Sequence, residues 1–162
     1  MKKGFRQKVL SAPLLILIAI LTASSYGALH NQFSFTISPE YFTELKFVQF
    51  GIRPDLPRLG AALVGIKASW WLGLIMALPI TLLGLIHQTL RKMFRSTLKS
   101  FGLVLLTVLI GSLVGFIWGS VKFPRNRFDM AGTMHNFSYL GAFLGLPLGL
   151  FYQVSCRSKK RT

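Results

Sequence analysis

The sequence predicts an all-α membrane protein of four transmembrane helices, N-in and C-in, with an aromatic amphipathic loop on the outer face. Three observations carry that expectation. Hydrophobic residues make up 52% of the 162-residue chain and charged residues only 14%, against about a quarter charged in an ordinary soluble domain. The apolar residues gather in four uncharged runs, 9–29, 68–86, 101–121 and 137–154, each near the ~20 residues that cross a ~30 Å hydrocarbon layer as a helix. The 19 Lys and Arg, facing only 4 Asp and Glu, are distributed unevenly between those runs. A chain this apolar is not disordered, and unbroken runs fit helices rather than the alternating ~10-residue strands of a membrane barrel.

Taken in order within one domain over 1–162, a basic tail at 1–8 leads into a helix over about 9–29. Met1, Lys2 and Lys3 before that run, and Ala23, Ser24, Ser25 and Gly27 at its end, also resemble a secretory signal peptide with Ser25 and Gly27 at the cleavage positions. Cleavage there would leave three helices in the same orientation. The outer loop at 30–58 is rich in aromatics. Phe33, Phe35 and Ile37 alternate with Ser34 and Thr36, as an extended segment lying on the membrane surface would. Ser38, Pro39 and Glu40 read as a helix start: a serine cap, proline at the first position and an acid where the dipole favours it. That helix carries Tyr41, Phe42, Leu45, Phe47 and Val48 toward Gly51, with Glu44 and Lys46 toward water. Residues 53–58 form a turn into a second spanning helix over about 59–88, which starts outside the hydrocarbon. Lys67, Trp70 and Trp71 then fall at the headgroup level as interface anchors; a deeper Lys67 would instead be functional. A cytoplasmic loop at 89–99 separates this helix from the third, over 100–121; the fourth covers 135–156 before a basic tail at 157–162. Pro79 and Pro147 predict local bends. Cys156, the single cysteine, excludes an internal disulfide and reads as inert, with palmitoylation beside the basic tail as the alternative.

Orientation follows from the positive-inside bias. Lys2, Lys3, Arg6 and Lys8, then Arg91, Lys92, Arg95 and Lys99, then Arg157, Lys159, Lys160 and Arg161 all fall on one side. The other side holds Lys46, Arg53, Arg58, Lys122, Arg125 and Arg127 together with every acid, Glu40, Glu44, Asp55 and Asp129. Both termini are therefore expected in the cytoplasm, where the basic segments attract anionic lipid. Charge explained by topology leaves no case for nucleic acid.

Small residues recur every fourth position: Gly111, Gly115 and Gly119 in the third run, Gly141, Gly145 and Gly149 in the fourth, Gly65, Ser69 and Gly73 in the second, Ala19, Ala23 and Gly27 in the first. Such stripes let helices approach closely in lipid. The short connection between the third and fourth helices predicts an antiparallel pair through their glycines; a homo-oligomer seam is the alternative use.

Candidate chemistry gathers on the outer face. Tyr26, His30 and Asn31 end the first helix; His135, Asn136 and Tyr139 begin the fourth. His30 and Tyr26 are four apart, as are His135 and Tyr139, so each pair shares a helix face, and neighbouring helices would form matched polar layers. His87 reads as merely interfacial. Hydrogen-bonded glue between helix ends is the leading reading. A metal or haem held by His30 and His135, with Glu40 or Asp129, is the second, since imidazole and carboxylate suit Zn or Fe, although no local ligand motif is present. An enzyme with a His base is the third, and no nucleophile elbow, phosphate loop or paired carboxylates support it. A transport pathway lacks a deep acid. The expectation is thus a non-enzymatic structural or partner-binding subunit, with no cofactor.

The segments ISPEYFT at 37–43, ASWWLG at 68–73 and HNFSYLG at 135–141, in that order, resemble a group of small uncharacterised bacterial multi-pass membrane proteins labelled only as signal-peptide-containing. Lys67 and Ser69 depart from that pattern around the tryptophan pair. The resemblance implies a bacterial inner-membrane location and, the group having no established activity, no mechanism.

Overall fold

The computed structural model describes residues 3–53 and 55–157. Lys2, Lys159, Lys160 and Arg161 of the expected basic tails, and Pro54 of the expected turn, lie outside the described residues.

Among the described residues the chain is all-helical. α1 (Lys3–Ile37) is followed by a π-helical turn (Tyr41–Lys46) that continues as the short α2 (Phe47–Phe50), then by α3 (Pro57–Gly84), α4 (Leu90–Lys122) and α5 (Arg127–Ser155). α1, α3, α4 and α5 are long and apolar enough to cross a membrane. Pro13, Pro79 and Pro147 sit inside α1, α3 and α5 without interrupting them.

The helix ends depart from the sequence expectation for one physical reason. An apolar run marks the reach of the hydrocarbon, whereas a helix continues wherever its backbone and one face are satisfied. α1 has 35 residues, roughly 50 Å at about 1.5 Å per residue, and outreaches a ~30 Å hydrocarbon layer. Residues 33–37, expected as extended, are its last turns. Ser34 and Thr36 donate to the carbonyls of His30 and Gln32, four residues back, at 3.2 and 3.0 Å, and Phe35 turns into an aromatic core. α1 stops because Pro39 disfavours the helical region for Ser38. Ser38 Oγ then accepts from the Tyr41 amide at 3.2 Å and starts the next helical segment.

The loop expected at 89–99 is likewise mostly helix. Thr89 Oγ1 accepts from the Lys92 amide at 3.2 Å and caps α4. Met93, Ser96, Thr97 and Ser100 recur on its buried face, while Arg91, Lys92, Arg95 and Lys99 stay exposed. α3 ends at Gly84, short of the expected 88. α5 starts at Arg127 rather than 135, because Asn126 Oδ1 accepts from the Asp129 amide at 3.1 Å and caps it there.

α1 packs closely along α3, and α4 along α5; the two pairs meet across a looser seam. Small residues set both close contacts. A methyl added at Gly65 would strike the Gly27 carbonyl, one at Gly27 would strike the Gly65 carbonyl, and one at Gly73 would press on Ala23 and Ala19. In the other pair Gly111 abuts Phe137 and Gly141, Gly115 abuts Phe137 and Thr133, Gly119 abuts Met130, and Gly141 and Gly145 abut Thr107. Gly149 faces Ser100 of α4 and Ile80 of α3. Backbones this close gain van der Waals contact that lipid cannot supply.

A polar network joins the elements at the end of the bundle where α1 starts and α5 finishes. Lys8, expected among the free charges of the tail, is buried instead: its Nζ donates to the carbonyls of Leu85 and His87, both at 2.7 Å. These carbonyls lie just past the end of α3, where orphan acceptors and the helix dipole favour a cation. His87, expected to be interfacial, is 2% exposed. Its Nε2 meets Gln153 Oε1 at 2.7 Å, and Gln153 Nε2 donates to Thr97 Oγ1 at 2.9 Å and to the Ile80 carbonyl at 3.3 Å.

Candidate functional site

At the opposite end the connection between α1 and α3 folds back over the bundle. Its helical segment, 39–50, closes at Gly51, whose φ of 62° is left-handed and so suits glycine. The Ile52 amide reaches the Phe47 carbonyl at 2.9 Å, completing the stop. Tyr41, Phe42 and Phe47 pack with Phe35, Ala61, Val64 and Ala131 from α1, α3 and α5, forming an aromatic lid. Lys67 Nζ donates to the Phe50 carbonyl at 3.2 Å, tying the end of that lid to α3. Trp70 and Trp71 are 47% and 39% exposed on the same helix.

Beneath the lid lies a histidine pair. The rings of His30 on α1 and His135 on α5 meet edge to face, centroids 4.7 Å apart. The Tyr41 and Phe42 rings cover His135 at 5.1 and 6.2 Å, and the Tyr26 ring lies 5.3 Å from His30. His30 Nε2 is 3.0 Å from Ser112 Oγ on α4 and 3.4 Å from Ser138 Oγ on α5. Ser138 Oγ also bonds the Tyr26 hydroxyl at 3.1 Å. Asn31 Nδ2 donates to the Ala61 carbonyl at 3.0 Å, which turns Asn31 Oδ1 toward His135 Nε2, also 3.0 Å away. His135 Nδ1 is 2.8 Å from the Ala131 carbonyl. Each nitrogen of His135 therefore has an oxygen acceptor: a neutral ring can donate to one of them, a doubly protonated ring to both.

The structure thus brings together Tyr26, His30, Asn31 and His135, with Tyr139 on the wall of the same cavity, and it leaves out three other sequence candidates. Asn136 is exposed. Glu40 accepts from Ser38 Oγ at 3.1 Å, and Asp129 accepts from Asn126 Nδ2 at 2.7 Å, so both acids serve helix starts. Among the described residues no group of three or more His, Cys, Asp and Glu side chains is placed to hold a metal.

A cavity of about 110 Å3 opens beside the cluster, walled by all four long helices and by Lys46 and Phe50 of the lid. Its polar wall carries Tyr26, His30, Asn31, Lys46, Ser69, His135, Ser138 and Tyr139; its apolar floor carries Leu72, Met76, Phe101, Val104 and Val108. Lys46, expected toward water, keeps an exposed hydrogen bond at its ammonium but is half-buried and lines this cavity. A π-helical turn takes in more residues than an α-helical one, so the side chains after it are rotated from their α-helical register. Lys46 consequently turns back over the Tyr41 ring, 5.4 Å from its centroid, and donates to Gln49 Oε1 at 3.1 Å. Burial lowers the pKa of its ammonium and pushes the Tyr41 hydroxyl up to about 12. Ser112 was also missed; a serine beside Gly111 within an apolar run is the signal that points to it. An apolar groove on the outer surface between α1 and α4, lined by Ile18, Leu21, Ser25, Leu29 and Leu109, shares Thr22, Tyr26 and Leu105 with the cavity wall.

No family model, no curated protein and no solved structure matches the chain. The reading of the site therefore rests on its own geometry.

Proposed function

We propose that this chain is a non-catalytic binding subunit of a bacterial inner membrane, with both termini in the cytoplasm, and that its working part is the cavity between the two helix pairs. One observation carries the reading: the cavity is walled by every spanning helix and by the lid, so a guest there would bear on the packing of the whole bundle. Its polar wall also retains unused hydrogen-bonding capacity, since the Lys46 ammonium has three hydrogens and, among the described residues, bonds Gln49 alone. The orientation is supported by the basic clusters at one end of the bundle, and the partner surface would be the lipid-facing sides of the helices.

The test is to purify the intact chain in mild detergent and identify what it retains by native mass spectrometry. Ala68, half-buried on the cavity wall, provides the control: Ala68→Phe is expected to fill the space and release the guest while the fold persists. Identical retention by both proteins sinks the reading. A metal or haem at His30 and His135 is the second reading, favoured by the approach of the two rings. A stoichiometric metal or a haem band, lost in His30→Ala and His135→Ala, would establish it. Exposed Cys156 reports orientation, because an impermeant maleimide should label it only after the cells are opened.

A further inference from the structure

Resting on that reading of the cavity, we propose that the guest is a single-chain fatty acid, its carboxylate seated against Lys46 and its chain leaving laterally into the groove between α1 and α4. Charge is the first ground. Lys46 is the one charged side chain on the cavity wall, and no carboxylate lines that wall among the described residues. The Lys46 side chain is half-buried along the cavity wall, and its ammonium has only the exposed neutral amide of Gln49 as a partner, so a bound anion would supply the charge-assisted bond it lacks. Tyr139 stands on the same wall with no hydrogen bond to its hydroxyl among the described residues, which leaves a donor for the second carboxylate oxygen.

Size is the second ground. A space of about 110 Å3 is smaller than the ~150 Å3 that holds a benzene molecule. It has room for a carboxylate and its first methylenes, and a slim single chain is the shape that such a space and the adjoining groove favour over a bulky two-chain headgroup.

Access is the third. A chain too long for the cavity must leave it, and the wall residues Thr22, Tyr26 and Leu105 are shared with a groove that faces lipid. α1 and α4 belong to different close pairs and touch lightly; their polar and aromatic contacts, His30 with Ser112 and Phe33 with Phe116, lie toward the lid, so the seam below them at Thr22 and Leu105 can part while the glycine contacts within each pair persist. An amphiphile already dissolved in the bilayer enters by that route without crossing the aromatic lid.

The experiment titrates the purified full chain in maltoside micelles with radiolabelled palmitate. One palmitate per chain is expected. Lys46→Gln should weaken binding roughly tenfold to a hundredfold, the range of a hydrogen bond to a charged group, and Lys46→Arg should restore most of it. Leu105→Trp should weaken binding by blocking the groove. Hexadecanol and dipalmitoyl phosphatidylglycerol should compete poorly. Undiminished binding by Lys46→Gln, at an unchanged melting temperature, overturns the proposal. Equal competition by hexadecanol overturns the carboxylate, and equal competition by the two-chain lipid overturns the single chain. If palmitate fails but Ala68→Phe still releases some other retained molecule, the ligand class falls and the cavity reading stands; if Ala68→Phe releases nothing, both fall.

Discussion

The two ends of the bundle answer the same physical demand in opposite ways. Each sets histidine, buried at one end and half-buried at the other, among amide and hydroxyl groups, and each bears a lysine that lacks a carboxylate partner in its hydrogen bonds. At the end where α1 starts and α5 finishes, most polar groups are closed on one another: Lys8 on two carbonyls, His87 Nε2 on Gln153, Gln153 on Thr97 and Ile80. The two that are not, His87 Nδ1 and Thr81 Oγ1, are buried against protein and line neither the cavity nor the groove. At the lid end, His30, Asn31 and His135 are equally engaged, yet the cluster borders a cavity, and Lys46 and Tyr139 stand on its wall. A closed polar network in a membrane protein is glue between helices, whereas a hollow one has capacity for a molecule that is not protein.

Lys8 gives the largest expected effect and the sharpest test of that contrast. Lys8→Met removes two charge-assisted bonds that join the start of α1 to the end of α3, and it should destabilise the fold by about 2–3 kcal/mol. Lys46→Met, at the hollow end, should cost under about 1 kcal/mol, since a partly exposed lysine bonds one neutral amide. Reversible unfolding in mixed micelles measures both. Equal losses would mean that the two ends are alike and that the lid end is structural as well.

Next in size comes the helix pairing on which both ends depend. Gly65→Ala places a methyl against the Gly27 backbone, and neither chain can yield without separating α1 from α3. A cost of about 1–3 kcal/mol is expected. Gly102→Ala, which meets nothing within 4 Å, should be neutral or stabilising, because alanine favours a helix by up to about 1 kcal/mol. If both variants melt alike, the close α1–α3 contact does not limit stability.

A smaller effect is expected within the lid cluster. Asn31→Ala strips the Ala61 carbonyl and His135 Nε2 of their partner at once. The expected loss is about 1–2 kcal/mol, and it should grow when the guest is present, because a variant that binds the guest more weakly gains less stability from it than the parent does. A loss that is unchanged by guest would separate the histidine pair from the cavity.

Much of this contrast could be read from the chain, and the reasons for the rest are specific. The four long apolar helices follow from uncharged runs, and the approach of Tyr26 to His30 follows from their four-residue spacing, because both are local periodicities. Lys8 was not legible: a lysine beside a membrane entry reads as a free tail charge until the fold supplies carbonyls from residues 85 and 87. Lys46 was hidden by the π-helical turn, which rotates the register after Tyr41 with no marker in residue type. The helix ends at 37, 90 and 127 depend on capping and on polar side chains bonding back to their own helix, and the hydropathy of the runs is blind to both.

The smallest expected effects separate the two ends most cleanly, since each end has a hydroxyl without a partner among the described residues. Thr81 Oγ1 is buried in the closed network, where an unmatched hydroxyl costs free energy and does nothing else. Thr81→Val keeps the shape and removes that group, so it should raise stability by up to about 1 kcal/mol without changing what the protein retains. The Tyr139 hydroxyl, on the cavity wall, has the opposite expectation. Tyr139→Phe should leave the melting temperature of the empty protein within about a degree while weakening guest binding roughly fivefold to tenfold, the contribution of one hydrogen bond. A gain of stability in Tyr139→Phe with retention unchanged would place both hydroxyls in the same class, as unsatisfied groups of a structural bundle.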